Sequence, residues 1–306
     1  MSFSLNIIKN RFLIISLVLI GFVFIFLYLF VYKINIRKND SFDGERALAQ
    51  IEQQLEFGPR IPETVGHDKF VRWLLAELES TSWDASIQES VVMGHTIKNI
   101  VAKRNRSSTR GQWIIFSAHY DTRIYADESH DPEDKIKPVM GANDGASGVA
   151  VLLELARVIP NDFPGNIWLV FFDAEDNGRI NGWDWILGSK AFVDQLVGKP
   201  DAVILVDMIG DSDLNIYMER NSDPSLSAEI WEQAAALGYT NYFIPIPKYR
   251  MLDDHIPFLQ ADIPAVDLID FDYPYWHTVD DTLDKVSAES LKVVGDTLLA
   301  WLETKR

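Results

Sequence analysis

Apolar and polar positions follow the periods of helices and strands in turn along the chain. Apolar residues share one helical face at 46–55 and again at 67–78, which predicts two amphipathic helices. Downstream, short apolar runs predict buried strands, and the longer segments between them predict helices. Buried strands alternating with helices predict an α/β fold, a three-layer sandwich with a mixed, mostly parallel central sheet. The predicted strands are 97–103, 113–118, 167–172, 202–206 and 265–269, and the predicted helices are 149–158, 189–197, 225–237 and 288–302.

The longest apolar run lies near the N-terminus. Residues 12–32 form a stretch of 21 residues without a charge. At a helical rise of ~1.5 Å per residue this stretch spans a hydrocarbon core of ~30 Å. A cleaved signal peptide has a shorter apolar run followed by small residues, and the bulky segment 26–30 offers no such cleavage site. We therefore predict one N-terminal transmembrane helix that acts as an uncleaved signal anchor.

This anchor divides the chain into four parts. A short tail (1–11) precedes it, a polar juxtamembrane linker (33–44) follows it, and 45–306 form one folded domain. Basic residues flank the anchor on both sides, so the positive-inside rule hardly separates the two orientations. Because the apolar run precedes a large folded body, we expect a single-pass membrane protein whose domain lies on the extracytoplasmic side.

Composition narrows the possible partners and chemistry. The net charge is −17, yet the first 40 residues carry five basic side chains and one acidic, so the remainder is strongly acidic. Such a body repels nucleic acid phosphates, and we expect no nucleic acid partner. The acidity serves solubility or attracts cationic substrates. The absence of cysteine excludes disulfides, thiolate metal ligands and a cysteine nucleophile.

Acidic residues and histidines follow the predicted strands, where open α/β sheets bind their ligands. A single such residue is usually a cap or a turn former. Several at successive strand ends converge on one rim, where a divalent cation offsets the cost of clustering them. With nitrogen and oxygen ligands and no thiolate, zinc at an open catalytic site is the leading candidate. The residues concerned are His119, Asp121, Asp144, Asp173, Glu175, Asp176, Asp207, His277, Asp280 and Asp281.

Two other chemistries fit the sequence less well. The glycine-rich segment 141–148 lacks the lysine of a P-loop and the spacing of a dinucleotide-binding loop, and it carries Asp144 where an anion would bind. Ser147 and Ser189 do not lie in the G-x-S-x-G sequence of a nucleophile elbow. Neither a phosphate cradle nor a serine hydrolase is therefore favoured.

Taken in order, the motifs resemble those of metallopeptidase family 28, which contains zinc aminopeptidases and glutaminyl-peptide cyclotransferases. The resemblance extends from about residue 45 to the C-terminus. It implies an enzyme that acts on the N-termini of peptides or proteins, with 45–306 as its zinc-dependent catalytic domain. The matching motifs are His119-x-Asp121, the segment 141–148, Glu175-Asp176, the segment 207–210 and Trp276-His277-Thr278.

The resemblance implies different metal centres in the two branches of the family. In the aminopeptidases two zinc ions share Asp144; one also binds Asp176 and His277, and the other binds His119 and Asp207. In the cyclotransferases a single zinc is bound by the residues that match Asp144, Asp176 and His277. Many relatives have glutamate in place of Asp176, and the shorter side chain can alter ligand geometry or metal affinity.

Three features favour the cyclotransferase branch. The insertion 177–187 is similar to one that supplies a tryptophan to the substrate pocket, for which Trp183 is our candidate. Trp276, which precedes the histidine ligand, matches a tryptophan that packs on the substrate. Asp253 matches an aspartate that joins Asp207 in an acidic hydrogen-bond network. One position departs from the pattern, because Asp267 stands where animal cyclotransferases have histidine.

The resemblance also implies roles for the remaining residues. Glu175 is the general acid/base, which takes a proton from the attacking α-amine and returns one to the leaving ammonia when N-terminal glutamine cyclises to pyroglutamate. Asp207 and Asp253 are expected to anchor the amine. Asp121 is expected to orient a ligating histidine without touching the metal, and His255 to be a structural or supporting group. Two alternatives stay open: a zinc aminopeptidase in which Glu175 activates water, and a catalytically silent ectodomain that binds proteins.

Overall fold

The structure is a computed structural model that describes residues 41–104 and 111–306. Residues Phe42–Arg306 form one unit, which begins slightly before the predicted domain boundary at 45. Phe42 is already buried, and the side chain of Asp43 caps the first helix. The predicted tail, anchor and most of the linker lie outside the described residues. Within the two described ranges, no helix combines the length and apolarity that a membrane span needs.

The centre of the domain is a six-stranded sheet. The strands in chain order are β1 (Asp84–Val92), β2 (His95–Arg104), β3 (Trp113–His119), β4 (Asn166–Phe172), β5 (Ala202–Asp207), β6 (Ile216–Met218), β7 (Phe243–Pro247) and β8 (Ala265–Ile269). The main sheet has the order β1-β2-β4-β3-β5-β8, and β6 pairs with β7 in a separate small sheet. The pairs β4–β3, β3–β5 and β5–β8 are parallel, whereas β1–β2 and β2–β4 are antiparallel. The prediction of a mixed, mostly parallel sheet is confirmed.

Helices cover both faces of this sheet. The α-helices of the described ranges are α1 (Gly44–Leu55), α2 (Val65–Ser80), α3 (Ala146–Val158), α4 (Leu187–Asp194), α5 (Pro224–Ala236), α6 (Ile256–Gln260) and α7 (Ala288–Glu303). Successive side chains of a strand point to opposite faces. Ile114 and Phe116 of β3 therefore pack on the face shared with α1, α2, α3, α5 and α7. Ile115 packs on the other face, with Phe192 of α4 and Phe258 of α6. The result is three layers.

Helix α3 lies close behind the parallel strands and positions the loop that precedes it. A Cβ atom at Gly148 would lie 2.5 Å from the carbonyl oxygen of Val206 and 2.8 Å from the Cβ of Ala118. A larger residue would push the helix away from β3 and β5. Asp144, two residues before the start of α3, is therefore held near the ends of both strands.

Candidate active site

The residues singled out by the sequence lie mainly at the carboxyl ends of the parallel strands. His119 is the last residue of β3, Asp207 is the last residue of β5, and Glu175 follows β4 within three residues. The loop before α3 supplies Asp144, and the loop after β8 supplies His277. All five side chains are buried or nearly so. The topology thus brings residues from five segments to one place.

Asp144, Asp176 and His277 form one cluster, here called the Asp176 triad. Nε2 of His277 lies 2.6 Å from Oδ1 of Asp176 and 3.6 Å from Oδ2 of Asp144. One potential ligand atom from each residue lies within 4.8 Å of the others, so that a single cation can reach all three.

His119, Asp144 and Asp207 form a second cluster, here called the Asp207 triad. Nε2 of His119 lies 3.1 Å from Oδ1 of Asp144 and 3.1 Å from Oδ1 of Asp207. These three residues also offer ligand atoms within 4.8 Å of one another. Asp144 belongs to both triads and presents a different oxygen to the histidine of each.

Two carboxylate oxygens of the Asp176 triad have no hydrogen-bond partner within the described ranges, and one of them belongs to the shared Asp144. Oδ2 of Asp144 and Oδ2 of Asp176 are buried, and no donor among the described residues reaches either of them. Buried carboxylate oxygens are costly unless they are hydrogen-bonded or coordinate a metal. The Oδ1 atoms of Asp144 and Asp207 face the imidazole of His119, just as Oδ1 of Asp176 faces that of His277. The imidazole and carboxylate donors of the Asp176 triad fit zinc, which accepts both ligand types.

Asp121 fixes the loop that carries the acid and the metal ligand after β4. Its Oδ1 accepts a 2.9 Å hydrogen bond from the backbone N–H of Glu175, and its Oδ2 accepts one of 3.3 Å from that of Asp176. The side-chain amide of Asn177 donates to the same Oδ2 at 3.2 Å. Asp121 also lies 3.6 Å from Nδ1 of His119. Asp121 therefore holds the backbone of Glu175 and Asp176 in place, and it belongs to neither triad.

Asp281 fixes the backbone of the loop that carries Asp144. It accepts hydrogen bonds of 2.8 Å from the backbone N–H of Asn143 and 3.1 Å from that of Asp144. The hydroxyl of Tyr273 donates to it at 2.7 Å. The sequence placed Asp281 in a polar cluster without assigning this supporting contact.

Two other acidic residues of the predicted clusters stay outside the triads. Asp173 lies 2.9 Å from Nε2 of His67 and accepts a hydrogen bond from the backbone N–H of Lys98. Asp280 is exposed. Proximity in sequence to a ligand therefore does not decide which carboxylate enters the site.

Glu175 is buried beside the Asp176 triad but is not one of its ligands. Burial, together with the charges of Asp253 and Asp176, raises the pKa of Glu175 well above its usual range. A carboxyl group with a raised pKa can hold and release a proton near neutral pH. Burial also raises the pKa of Asp207 to about 7, with Asp253 and Asp144 adding to the effect of desolvation.

The backbone is left-handed at three non-glycine positions that are a metal ligand of the triads or directly adjoin Glu175 or Asp207. The φ angles are 52° at Ala174, 46° at Met208 and 55° at His277. This conformation costs a residue with a side chain roughly 1–2 kcal/mol. Strained backbone of this kind is concentrated at functional sites. Here it turns the chain just before Glu175, just after Asp207 and at the ligand His277 itself.

A pocket of about 190 Å³ opens beside the triads. This volume is below the ~300–1,000 Å³ of pockets that accept drug-sized ligands, and it suits a single amino-acid residue. The imidazole of His277 stacks with the ring of Trp185 at 6.0 Å and with that of Trp276 at 3.8 Å between centroids. The pocket is lined by Asp144, Glu175, Asp176, Arg179, Trp185, Asp207, Met208, Met251, Leu252, Asp253, Ile269, Phe271 and Trp276.

The pocket corrects the prediction that Trp183 contributes its wall. Trp183 does not line the pocket; its ring stacks on His95 at 3.6 Å between centroids and packs against the cluster of Ile97, Ala174 and Leu187. Trp185, two residues further on, takes the place expected of Trp183. A Cβ atom at Gly178 would lie 2.1 Å from the indole of Trp185, so the glycine allows this ring to fold over the loop.

Comparison with known proteins decides the family. The sequence profile of peptidase family M28 matches residues 99–302, which include both triads and Glu175. The chain belongs to peptidase family M28. The resemblance predicted from the motifs is thereby confirmed.

Solved structures similar to this M28 domain carry names from both branches. A glutaminyl cyclase from Porphyromonas gingivalis is 33% identical with a TM-score of 0.81, over 87% of this chain and 99% of that one. A leucine aminopeptidase precursor from Bacteroides thetaiotaomicron is 30% identical with a TM-score of 0.81, over 87% of this chain and 98% of that one. Glutaminyl-peptide cyclotransferase from Drosophila melanogaster is 24% identical, over 81% of this chain and 79% of its own length.

A buried acidic network extends behind the pocket of this M28 domain. Asp253 borders the pocket, and burial raises its pKa. Asp253 and Asp207 both add to the effect of burial that raises the pKa of Asp267 well above its usual range. His255 lies 3.3 Å from Glu219 and 3.8 Å from Asp267, and it belongs to neither triad. Burial therefore favours the protonated form of Asp253 and of Asp267.

Several pocket residues left no recognisable signal in the sequence. Met251, Leu252, Ile269 and Phe271 are apolar side chains that could equally have belonged to the core. Arg179 follows the acidic loop after β4, where an exposed arginine is unremarkable. Only the fold shows that these side chains border the same cavity.

Proposed function

We propose that this M28 enzyme is a glutaminyl-peptide cyclotransferase, which converts an N-terminal glutamine of a peptide or protein into pyroglutamate and releases ammonia. The observation that carries the proposal is the pair of unpartnered carboxylate oxygens in the Asp176 triad, beside a small aromatic pocket that contains Glu175. Both oxygens lie where a single bound cation would compensate them. A single metal beside this pocket is the arrangement that the resemblance to the cyclotransferases implies.

One zinc ion would be held by Asp144, Asp176 and His277. When bound, it supplies a Lewis acid that polarises the side-chain carbonyl of the glutamine. The two tryptophans that stack with His277 keep this ligand in place and shield it from solvent. Asp176, shorter than glutamate, reaches His277 at 2.6 Å without rearrangement.

Glu175 would transfer protons between the attacking and the leaving nitrogen atoms of the substrate. The α-nitrogen of the substrate forms a bond to the side-chain amide carbon, and the bond from that carbon to the amide nitrogen breaks. Glu175 takes a proton from the α-nitrogen and delivers one to the leaving nitrogen, which departs as ammonia. Its raised pKa allows the same group to perform both transfers near neutral pH.

Asp207 and Asp253 would orient the α-amino group. Both line the pocket, and both have raised pKa values because they are buried among other carboxylates. Their oxygens can accept hydrogen bonds from the amine and so direct its lone pair towards the amide carbon.

Trp185 and Trp276 would exclude water from the reacting amide. Water hydrolyses the same carbonyl that the amine attacks, so cyclisation depends on a dry site. Phe271 packs edge to face on Trp276 at 5.1 Å and completes this aromatic wall. The substrate side chain would therefore be enclosed between aromatic rings and the carboxylates.

One observation favours a second candidate, a zinc aminopeptidase. The Asp207 triad is complete and shares Asp144 with the Asp176 triad, which is the pattern for two ions. In that enzyme Glu175 would activate water and release the N-terminal residue as a free amino acid.

Product masses separate the two candidates. The protein, purified without chelator, is incubated with a Gln-peptide and a Leu-peptide of otherwise identical sequence. Cyclisation lowers the mass of the Gln-peptide by one ammonia and leaves the Leu-peptide intact. Release of free leucine supports the aminopeptidase, and a folded protein that changes neither peptide supports a silent binding domain.

We also propose that 12–32 anchors the domain in a membrane and that the domain lies on the extracytoplasmic side. The support is the length and apolarity of the uncharged run. Alkaline extraction of membranes and protease digestion of intact cells test it. Release of the protein by alkali, or protection of 45–306 from added protease, would contradict it.

A further inference from the structure

The mouth of the pocket carries one positive charge whose role the proposed reaction leaves open. Arg179 is the only lysine or arginine among the residues that line the pocket. It is exposed, and within the described ranges its guanidinium has no hydrogen bond or ion pair. A guanidinium without a partner, at the entrance of a site, is free to bind a ligand.

The backbone at Arg179 is unfavourable for an arginine. Its φ angle is 63°, in the left-handed region where glycine or asparagine fits more easily. The neighbouring chain is fixed: the buried Arg123 donates hydrogen bonds to the carbonyl oxygens of Asp176 at 2.8 Å and Gly178 at 3.1 Å. An arginine held in this conformation by a rigid loop points to a function of its side chain.

The charges around Arg179 indicate which ligand it can bind. The interior of the pocket is acidic, with Glu175, Asp207 and Asp253 near the place where the substrate amine would lie. The whole chain carries a net charge of −17. A peptide with a carboxylate close to its N-terminus is therefore repelled by the protein as a whole. A cation at the mouth offers such a carboxylate a local partner.

We propose that Arg179 binds a carboxylate on the residue that follows the reacting N-terminal residue. When the first residue of the peptide occupies the pocket, its second residue lies at the mouth. Arg179 and the exposed Leu252 line the pocket there. The carboxylate can be the side chain of aspartate or glutamate at the second position, or the C-terminus of a dipeptide. This inference rests on the proposed function only in that the pocket takes the N-terminal residue of a peptide.

Two matched peptide pairs distinguish the sources of the carboxylate. Gln-Glu-amide and Gln-Gln-amide differ only in the charge of the second side chain. Gln-Ala and Gln-Ala-amide differ only in the charge of the C-terminus. The values of kcat/KM are measured for the wild type, for Arg179→Gln and Arg179→Gly, and for Arg72→Gln, which removes the same charge from an exposed position on α2.

We expect the acidic-to-neutral ratio of kcat/KM to fall about fivefold in both Arg179 variants, as for one exposed ion pair. The loss should appear as a higher KM with an unchanged kcat, because the ion pair with Arg179 is present both in the substrate complex and in the transition state. The Arg72→Gln control should keep the wild-type ratio of kcat/KM. A fall in one peptide pair alone identifies the side chain or the C-terminus as the ligand.

Ratios that stay the same in Arg179→Gln for both peptide pairs would overturn the inference. Equal losses in Arg72→Gln would also overturn it, because they would assign the effect to the overall charge. If the wild type releases ammonia from none of the peptides, the proposed cyclisation fails instead. The same ratios are then measured for the release of leucine from Leu-Glu-amide and Leu-Gln-amide.

Discussion

Replacing Glu175 with glutamine removes the proton carrier and leaves the shape of the site intact. The side chain is buried, lies outside both metal triads, and is held through its backbone N–H by Asp121. An amide of the same size fits the same space. The variant therefore separates loss of proton transfer from loss of metal or fold.

The size of the effect follows from the role of Glu175. General acid/base catalysis contributes about 10²–10⁴-fold, equivalent to roughly 2.7–5.5 kcal/mol of barrier. The substitution should lower activity but should not lower the stability of the metal-free protein. Because the folded-state pKa of Glu175 is raised, the metal-free fold loses stability as the pH rises from the unfolded-state pKa to the folded-state pKa, and this loss is complete above the latter. The variant, which cannot ionise, should melt at or above the wild-type temperature at pH 8.

The assay combines ammonia release from a Gln-peptide with zinc analysis of the same samples, and thermal melting is followed on the metal-free form of each protein. Glu89→Gln, an identical chemical change at an exposed position of β1, is the matched control and should retain full activity. Activity of Glu175→Gln above a tenth of the wild-type value, at equal zinc content, would refute the role of Glu175 as the proton carrier.

Two further predictions concern the pocket wall and the metal. Trp185→Ala should lower kcat/KM for Gln-peptides at least about tenfold, the equivalent of losing one buried aromatic contact; Trp183→Ala should change it less than about twofold. Steady-state kinetics check this, and equal losses in the two variants would contradict the pocket described here. In the metal-free protein burial and Asp144 raise the pKa of Asp176 to about 6, so protons compete with zinc below that pH. Zinc affinity, measured by titration with a competing chelator, should fall roughly tenfold per pH unit below pH 6; a constant affinity from pH 5 to 7 would contradict this.

The hydrophobic pattern was sufficient to predict the parallel core but not the edges of the fold. Strands β3, β4, β5 and β8 are buried almost throughout, so that their apolar runs are unmistakable. Strand β1 lies at the edge of the sheet, and its side chains are exposed or half-buried, which leaves no apolar face to detect. The short strand β7 contains Pro245 and Pro247, residues that indicate a turn rather than a strand.

The positions of site residues could be predicted where the sheet topology determines them. They could not be predicted where they depend on the conformation of a loop. Residues at the ends of parallel strands must share one edge of the sheet, and His119 and Asp207 do so. Trp183 and Trp185 lie two residues apart in an irregular loop, where no period relates position to direction. The contact between Gly178 and the indole of Trp185 settles which ring faces the pocket, and it exists only in the folded chain.

Zinc content is the most direct test of the claim that Asp144, Asp176 and His277 together hold one cation. It is measured on the wild type, His277→Ala and His119→Ala, each purified without chelator and confirmed to be folded. We expect one zinc per chain in the wild type and in His119→Ala, and none in His277→Ala. Retention of zinc by His277→Ala, or loss of all zinc from His119→Ala, would contradict the account.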